Sequence, residues 1–156
     1  RYLDMFTGRQ FLSDLSQSEL TFRTIQEKDR DRAKELHEMC LPVRYGDAFY
    51  ARITSPRSNL YTAVCEDESN GGHVVGIAVA RIESQWRAKE KHLVTCTAHG
   101  EDLLYIMTLV VDPSYQRKQI GSRLVEFLCG QMPHHVQAVY LHVLDSNLNA
   151  TRFYEA

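Results

Sequence analysis

The 156 residues carry 44% hydrophobic and 24% charged side chains, an ordinary balance for a single globular domain. A formal net charge of −2 gives no general attraction to nucleic acid or to an anionic membrane surface. No apolar run approaches the roughly 18 residues of a membrane-spanning helix, so we expect one domain that binds neither nucleic acid nor, in this segment, a membrane.

The chain divides into a short leader and one domain. Residues 1–19 carry apolar side chains at loose helical spacing, and we expect this leader either to dock on the domain or to act as a partner-binding arm. The domain, residues 20–156, begins with an alternating stretch at 20–26 that predicts a strand. Asp29 is a plausible N-cap for a helix that runs through Cys40. The predicted inner face of that helix is Ala33, Leu36, Met39 and Cys40.

A break and two strands follow this helix. The break at 41–46 leads to Asp47, which is predicted to cap a short helix that Ser55 and Pro56 end. The strands are predicted at 60–66 and 73–82, with a hairpin loop at 67–72 between them and a polar insertion at 83–101 after them.

The last part of the chain alternates strands and helices. Its predicted elements are a strand at 103–111, a turn at Asp112-Pro113, a helix at 120–132, a strand at 136–144 and the start of a helix at 149–156. The complete order, β-α-α-β-β-β-α-β-α, predicts a mixed α/β fold.

The loop that leads into the helix at 120–132 is suited to a bound pyrophosphate. Backbone N–H groups between Gln116 and Ser122 can converge on phosphate oxygens, and the helix N-terminus adds partial positive charge. Arg117 and Lys118 can offset further phosphate charge. Taken alone, the loop is also compatible with an ordinary capped helix that has a basic first turn.

Two segments carry a family resemblance. This loop with its preceding strand, and a second segment at 139–154, together resemble the acetyl-CoA-binding core of the GCN5-related N-acetyltransferase (GNAT) superfamily. Tyr-Ile-Met-Thr-Leu at 105–109 is similar to N-terminal acetyltransferase catalytic subunits of the NatE type. The polar insertion, and Tyr-Leu-His-Val-Leu at 140–144, are more similar to the NatF type. The resemblance covers about 20–154.

This resemblance implies the fold and the co-substrate. The implied GNAT fold has a mixed, mostly antiparallel sheet, splayed at its two central strands and flanked by helices, with its closing C-terminal strands missing from this sequence. Gln116 and Gly121 match the superfamily phosphate motif, and Gln119 stands where a first glycine is usual. The implied co-substrate is acetyl-CoA, without a metal. Its implied contacts are Leu109, Val110, Val111, Gln116, Arg117, Lys118, Gln119, Ile120, Gly121, Ser122, Asn147 and Tyr154.

Tyr105 and His142 are the implied catalytic pair. In NatE- and NatF-type enzymes, a tyrosine and a histidine at these positions hold a water and take the proton from the amine. The chemistry suits them, because histidine titrates near neutral pH and tyrosine orients a water without carrying charge. Taken singly, each is also an ordinary structural residue of a strand.

The loop at 41–45 implies a peptide substrate. Pro42, Val43 and Tyr45 match the loop that in NatE- and NatF-type enzymes accepts the first side chain of a peptide, usually methionine. A rigid, proline-led loop suits a shallow apolar pocket, and Leu41 and Met107 complete the implied substrate-binding set. A plain interhelical turn is the alternative.

The pKa of the acceptor amine favours an N-terminus over a lysine. An α-amino group titrates near 7.7–8.0 and a lysine near 10.4, so at neutral pH about a tenth of α-amines, but fewer than about one lysine in a thousand, are neutral. A water-mediated base such as Tyr105 with His142 suffices for the α-amine. No glutamate stands in these motifs as a stronger base, although an unplaced acid such as Glu83 could serve.

The sequence therefore predicts an acetyl-CoA-dependent N-α-acetyltransferase acting on protein or peptide N-termini. It favours methionine followed by a hydrophobic or amphipathic residue, with direct transfer and main-chain N–H groups of 109–111 polarising the thioester carbonyl. Two alternatives stay open: a GNAT enzyme for lysine or small amines, and a non-catalytic acetyl-CoA-binding module.

Two further observations concern metals and location. His92, Cys96 and His99 have metal-like spacing, but no second cluster or fourth ligand accompanies them, so no metal is predicted. The cysteines lie far apart, which is typical of reduced thiols in an intracellular, most simply cytoplasmic, protein. Because the chain begins without methionine and ends within a helical pattern, we expect a piece of a longer protein, whose targeting or Golgi membrane segment would lie elsewhere. The four cysteines are Cys40, Cys65, Cys96 and Cys129.

Overall fold

The computed structural model describes residues 19–84, 102–142 and 152. Within these residues, strands and helices follow one another in the predicted order. The strands are β1 (Leu20–Thr24), β2 (Leu60–Asp67), β3 (His73–Ser84), β4 (Asp102–Val111) and β5 (Val136–Leu141). The helices are α1 (Arg30–Cys40), α2 (Asp47–Ile53) and α3 (Ile120–Gly130). The leader up to residue 18, the insertion from 85 to 101 and most of the last predicted helix lie outside the described residues.

Some element ends differ from the predicted ones by a few residues. β1 stops at Thr24 because a 3-10 turn, Glu27–Asp29, precedes α1. β3 continues to Ser84, so the first two residues of the predicted insertion belong to a strand. α3 ends at Gly130 rather than at residue 132. The observed ends therefore shift by a few residues, while each element that the structure describes keeps its predicted type.

The five strands form one sheet in the order β1-β2-β3-β4-β5. The first three pairings are antiparallel, and β4 pairs with β5 in parallel, which confirms the predicted mixed sheet. The parallel ladder ends where Ile106 pairs with Leu141, whereas β4 continues to Val111. Within the described residues, the last part of β4 is therefore paired only with β3.

A β-bulge in β4 determines which side chains face the first two helices. Val79 pairs with Thr108 and Ala80 pairs with Ile106, so Met107 is an extra residue in the ladder. Met107 packs against the core beneath α1 and α2, and Thr108 hydrogen-bonds to a side chain of α1. The bulge thus places two consecutive residues on one face.

Helices cover both faces of the sheet. α1 and α2 pack on one face over a core that includes Leu36, Tyr50 and Ile77, and α3 packs on the other face. α3 lies so close to β3 that a Cβ atom at Gly76 would be 3.0 Å from Ile120 and 3.1 Å from a Leu124 methyl. This close approach fixes the start of α3 against the sheet.

Asp29 is the N-cap residue of α1, as predicted, whereas the predicted cap Asp47 lies one residue inside α2. Asp29 makes no side-chain cap hydrogen bond to α1, and its carboxylate instead accepts bonds from Arg23 and from the Gln26 backbone N–H. Asp47 is the first residue of α2, after Gly46 at the N-cap, and its carboxylate accepts a bond from Lys34 at 2.7 Å. In each case, a nearby cation competes successfully for the carboxylate.

The inner face of α1 contains a histidine that the sequence did not predict. His37 is fully buried, whereas Met39, which was predicted to face inward, is 48% exposed. The His37 Nε2 atom lies 3.0 Å from Thr108 Oγ1, and the ring is surrounded by the rings of Tyr45, Phe49 and Tyr50 at 5.7–5.9 Å. The Nδ1 atom has no hydrogen-bond partner in the described part of the chain.

Burial lowers the pKa of His37 to about 4, from an ordinary value of 6.5. Below pH 6.5, His37 takes up a proton in the unfolded chain, whereas in the folded chain it stays neutral down to about pH 4. The free energy of unfolding is therefore expected to fall by about 2 kcal/mol between pH 7 and pH 5 on account of this residue alone. Urea unfolding at both pH values tests this, with His37→Gln as the control that should remove most of the difference. An equal pH dependence in the variant would contradict the assignment.

The described cysteines, Cys40, Cys65 and Cys129, carry free thiols, and Cys96 lies outside the described residues. Among the described helices, none is long and apolar enough to cross a membrane.

Candidate functional site

Tyr105 and His142 meet on the α1–α2 face of the sheet, where β5 ends. The Tyr105 hydroxyl lies 3.1 Å from His142 Nδ1, and the two rings are in edge contact at 5.4 Å. Tyr105 is half-buried on β4 and burial raises its pKa, whereas His142 is exposed immediately after β5. The structure therefore brings the predicted catalytic pair within hydrogen-bond distance, although the residues are 37 positions apart in the sequence.

Three further side chains surround this pair, and none of them was predicted to belong to the site. The Tyr140 ring lies 4.9 Å from the Tyr105 ring, and the Arg81 guanidinium lies 5.1 Å from the centre of that ring. Glu83, which the sequence left as an unplaced acid, pairs with Arg81 and accepts a hydrogen bond from the Tyr140 hydroxyl. Strand alternation places Arg81 and Glu83 on one face of β3, and this was the available signal.

The implied peptide loop lies next to this face. Leu41, Tyr45 and Met107 are half-buried and pack against the core beneath α1 and α2. Tyr45 stacks on Phe49 at 4.2 Å, which fixes the loop against α2. Val43 remains 57% exposed, and Pro42 is also exposed.

The result is a set of apolar side chains that runs from buried to exposed. Such a surface can accept an apolar side chain without needing to unfold.

Within the described residues, the predicted thioester-binding end of β4 has one edge without a strand partner. Beyond Ile106, the described residues give β4 no strand partner on its β5 side. The Val111 carbonyl, at the end of β4, accepts contacts from Cys40 Sγ at 3.7 Å and from Gln116 Nε2 at 3.4 Å. An unpaired strand edge can hydrogen-bond an extended ligand in the way that it would pair with another strand.

The loop at 116–122, which we call the phosphate loop, has the backbone shape of an anion site. Arg117 and Gln119 have positive φ angles of 64° and 60°, and no described non-glycine residue other than these two does. The first bond from α3 back to Gln119 comes from the Arg123 N–H at 3.1 Å, so the N–H groups of Ile120, Gly121 and Ser122 have no partner within the helix.

Alternation between right- and left-handed backbone conformations makes consecutive N–H groups converge on an anion. Arg117 and Lys118 are exposed beside these groups. The residues present therefore fit a pyrophosphate.

Side chains of the preceding turn fix this loop. The Asp112 carboxylate accepts bonds from the Ser114 N–H at 2.9 Å and from Arg32 Nη2 at 2.7 Å. The Tyr115 hydroxyl donates to Asp67 Oδ2 at 2.8 Å, and the Lys118 ammonium lies 5.0 Å from the centre of the Tyr115 ring. These contacts link the loop to α1 and to the β2–β3 hairpin, which limits its movement.

Some predicted residues lie outside the described part of the chain. These are the implied cofactor contacts Asn147 and Tyr154 and the metal-like set His92, Cys96 and His99. Among the described residues, no group of three or more histidine, cysteine, aspartate or glutamate side chains is placed to hold a metal ion.

Comparisons with known proteins agree on one family. A family model described as Acetyltransferase (GNAT) family matches residues 26–156. N-alpha-acetyltransferase 60 of Xenopus tropicalis is 34% identical over 134 residues, which cover 81% of this chain and 54% of that protein. The chain thus spans about half the length of this curated relative.

Solved structures show the same fold. NAA60 of Arabidopsis thaliana in complex with a bisubstrate analogue has a TM-score of 0.79 at 24% identity, over 87% of this chain and 81% of that one. The same protein in complex with acetyl-CoA gives equal values. Naa50 of Arabidopsis thaliana in complex with the bisubstrate analogue CoA-Ac-MVNAL has a TM-score of 0.63 at 26% identity, over 87% and 80% of the two chains.

Proposed function

Because this chain belongs to the acetyltransferase (GNAT) family, we propose that it transfers an acetyl group from acetyl-CoA to the α-amine at protein N-termini. The observation that carries this proposal is the 3.1 Å contact between Tyr105 and His142, on the face that also holds the apolar loop at 41–45. The N-alpha-acetyltransferase relative and the bisubstrate complexes of the similar structures support the same class of reaction.

Acetyl-CoA would be held by the phosphate loop and by the edge of β4 beyond Ile106, which has no strand partner among the described residues. The N–H groups of Ile120, Gly121 and Ser122, with the charges of Arg117 and Lys118, would bind its pyrophosphate. The main chain of 109–111 would pair with its extended arm and donate hydrogen bonds to the thioester carbonyl. When bound, acetyl-CoA supplies an activated acetyl group.

On the amine side, the protein would provide a proton acceptor and a binding surface. Tyr105 and His142 would hold a water that removes the proton from the α-amine, with the imidazole as the group that takes up charge. The loop residues Val43 and Tyr45, with Met107, would hold the first side chain, and we propose methionine followed by a hydrophobic or amphipathic residue. Holding both substrates in one site would supply proximity without a covalent acetyl-enzyme.

Mass spectrometry of one peptide tests this function. The peptide begins Met-Leu, carries an internal lysine and is incubated with the protein and acetyl-CoA. A copy with a blocked N-terminus is the matched control. Acetyl on the α-amine, and none on the blocked copy, is the expected result.

Other products would change the assignment. Acetyl on the lysine of both peptides would select a lysine acetyltransferase. Acetyl-CoA binding without any product would select a non-catalytic module.

The left-handed backbone at Gln119 leads to a prediction about cofactor affinity. A non-glycine residue in this conformation destabilises the folded chain by about 1–2 kcal/mol. Glycine removes this strain but makes the unfolded chain more flexible, which lowers stability by about 0.4–1 kcal/mol. Gln119→Gly is therefore expected to leave stability equal or slightly higher, and to tighten acetyl-CoA binding several-fold because the backbone can approach the phosphate more closely.

Calorimetric titration and urea unfolding measure the two effects. Arg117→Gly is the matched variant, since it relieves a similar backbone conformation but removes a charge, and it should weaken binding. Weaker binding by Gln119→Gly would instead mean that the glutamine side chain itself contacts the cofactor.

A further inference from the structure

A charged pair, Arg81 and Glu83, lies beside Tyr105 and His142, and the reaction proposed above assigns it no role. The strand register pairs Arg81 with Tyr105, and Tyr105 with Tyr140. These three side chains form a row across β3, β4 and β5, and Glu83 lies on the same face of β3, two residues beyond Arg81. The row ends beside His142, whose ring is in edge contact with both tyrosine rings.

Both carboxylate oxygens of Glu83 are engaged. Oε1 accepts a hydrogen bond from Arg81 Nε at 2.7 Å and also contacts Arg81 Nη2, and Oε2 accepts the hydrogen bond of the Tyr140 hydroxyl. The Glu83 side chain is 17% exposed and that of Arg81 is 43% exposed. Glu83 is therefore a fixed acceptor rather than a free base that could deprotonate a substrate amine.

Arg81 is a cation close to the pair that would receive the proton. Its guanidinium lies 5.1 Å from the centre of the Tyr105 ring. At neutral pH an α-amine arrives mostly as an ammonium ion, and its proton leaves through Tyr105 and His142. An unbalanced guanidinium at this distance would repel the ammonium and disfavour a positive charge on the imidazole.

The pKa of Tyr105 responds to both charges. Burial raises this pKa, Arg81 acts to lower it and Glu83 acts to raise it. The two charges therefore oppose each other at the Tyr105 hydroxyl.

We propose that Glu83 is a positioning residue that balances the charge of Arg81 and fixes Tyr140 against the Tyr105–His142 pair, so that a cationic amine can enter and lose its proton there. This inference rests on the proposed function for its kinetic consequence. The charge balance itself is a property of the free protein.

The first test needs no substrate. Carbon-13 NMR of labelled tyrosine follows the titration of Tyr105, whose signal is assigned by its loss in Tyr105→Phe. Glu83→Gln is expected to move the Tyr105 titration to lower pH, and Arg81→Gln to higher pH. The double variant should titrate near the native value. Opposite shifts distinguish a charge effect from general loosening of the site, which would move both variants in the same direction.

The second test is kinetic. Glu83→Gln is expected to lower kcat/KM for the peptide by about tenfold, and by less at high salt, while acetyl-CoA affinity stays the same. Adding Arg81→Gln should restore most of this loss, because it removes the unbalanced cation while the amide introduced at position 83 still accepts the Tyr140 hydrogen bond. Glu126→Gln is the matched control, because it removes one carboxylate from the exposed side of α3.

The two proposals fail in different ways. If the native protein acetylates no N-terminus, the proposed function is wrong, and the Tyr105 titrations still decide the role of Glu83. The inference is overturned if Glu83→Gln leaves the Tyr105 titration unmoved, or if the double variant is as impaired as Glu83→Gln alone.

Discussion

Removing the Tyr105 hydroxyl or the His142 imidazole is expected to lower kcat by about 10²- to 10³-fold each. Tyr105→Phe keeps the ring in contact with Arg81 and Tyr140 and removes only the atom that lies 3.1 Å from His142. His142→Ala removes an exposed side chain, so neither change should reduce stability by much. The loss should therefore be found in kcat, with acetyl-CoA affinity retained.

Two features of this result identify proton removal as the step affected. The double variant should be little slower than the slower single variant, because both side chains act through one water. The loss of kcat should also become smaller as the pH rises, because more of the α-amine is then already neutral. Tyr61→Phe removes a hydroxyl from β2 and provides the matched control. Full turnover by either single variant would refute the water-mediated base.

The GNAT fold, and the family to which this chain belongs, could be predicted because both depend on local patterns. Alternation marked the strands, and the basic loop before α3 marked the start of that helix, where we propose that phosphate binds. The family model and the similar solved structures, among them one with a TM-score of 0.79, confirm that fold. Tyr105 and His142 were named from motifs, and the parallel pairing of β4 with β5 then explains how two distant positions meet.

The sequence could not reveal features that depend on contacts between elements. Residues 33, 36, 37 and 40 share one helical face, but hydrophobicity favoured Met39 over His37 for the interior. The histidine is buried because Thr108 offers its Nε2 atom a partner, and the Met107 bulge is what turns Thr108 toward it. Glu83 was likewise left unplaced, since Tyr140, which donates a hydrogen bond to it, lies on β5.

The ion-pair network of Arg23 shows the same limit, and it has a large predicted effect on stability. Arg23 donates to Asp29 through both terminal nitrogens, at 2.7 and 3.0 Å, and to Glu66 through Nε at 2.8 Å. Asp29 and Glu66 are only 4% and 9% exposed. The network ties β1 and β2 to the start of α1, the helix that carries His37 and leads into the loop at 41–45.

Arg23→Met is expected to lower the free energy of unfolding by about 3 kcal/mol at neutral pH, because two nearly buried carboxylates lose their cation. The Arg23 hydrogen bond lowers the pKa of Glu66; burial alone would raise that of Asp29, but bonds from Arg23 and Gln26 lower it. In the native protein, the stability that these two carboxylates contribute is thus lost as pH falls through the acidic range. In the variant, the same carboxyl groups take up protons at a higher pH, and they tolerate burial once they are neutral. The difference in the free energy of unfolding between the two proteins should therefore narrow below about pH 5, which urea unfolding across pH measures.

Lys34→Met, which breaks the exposed pair with Asp47, should change stability little. An equal loss of stability in this variant would mean that burial of the Arg23 network is not the cause.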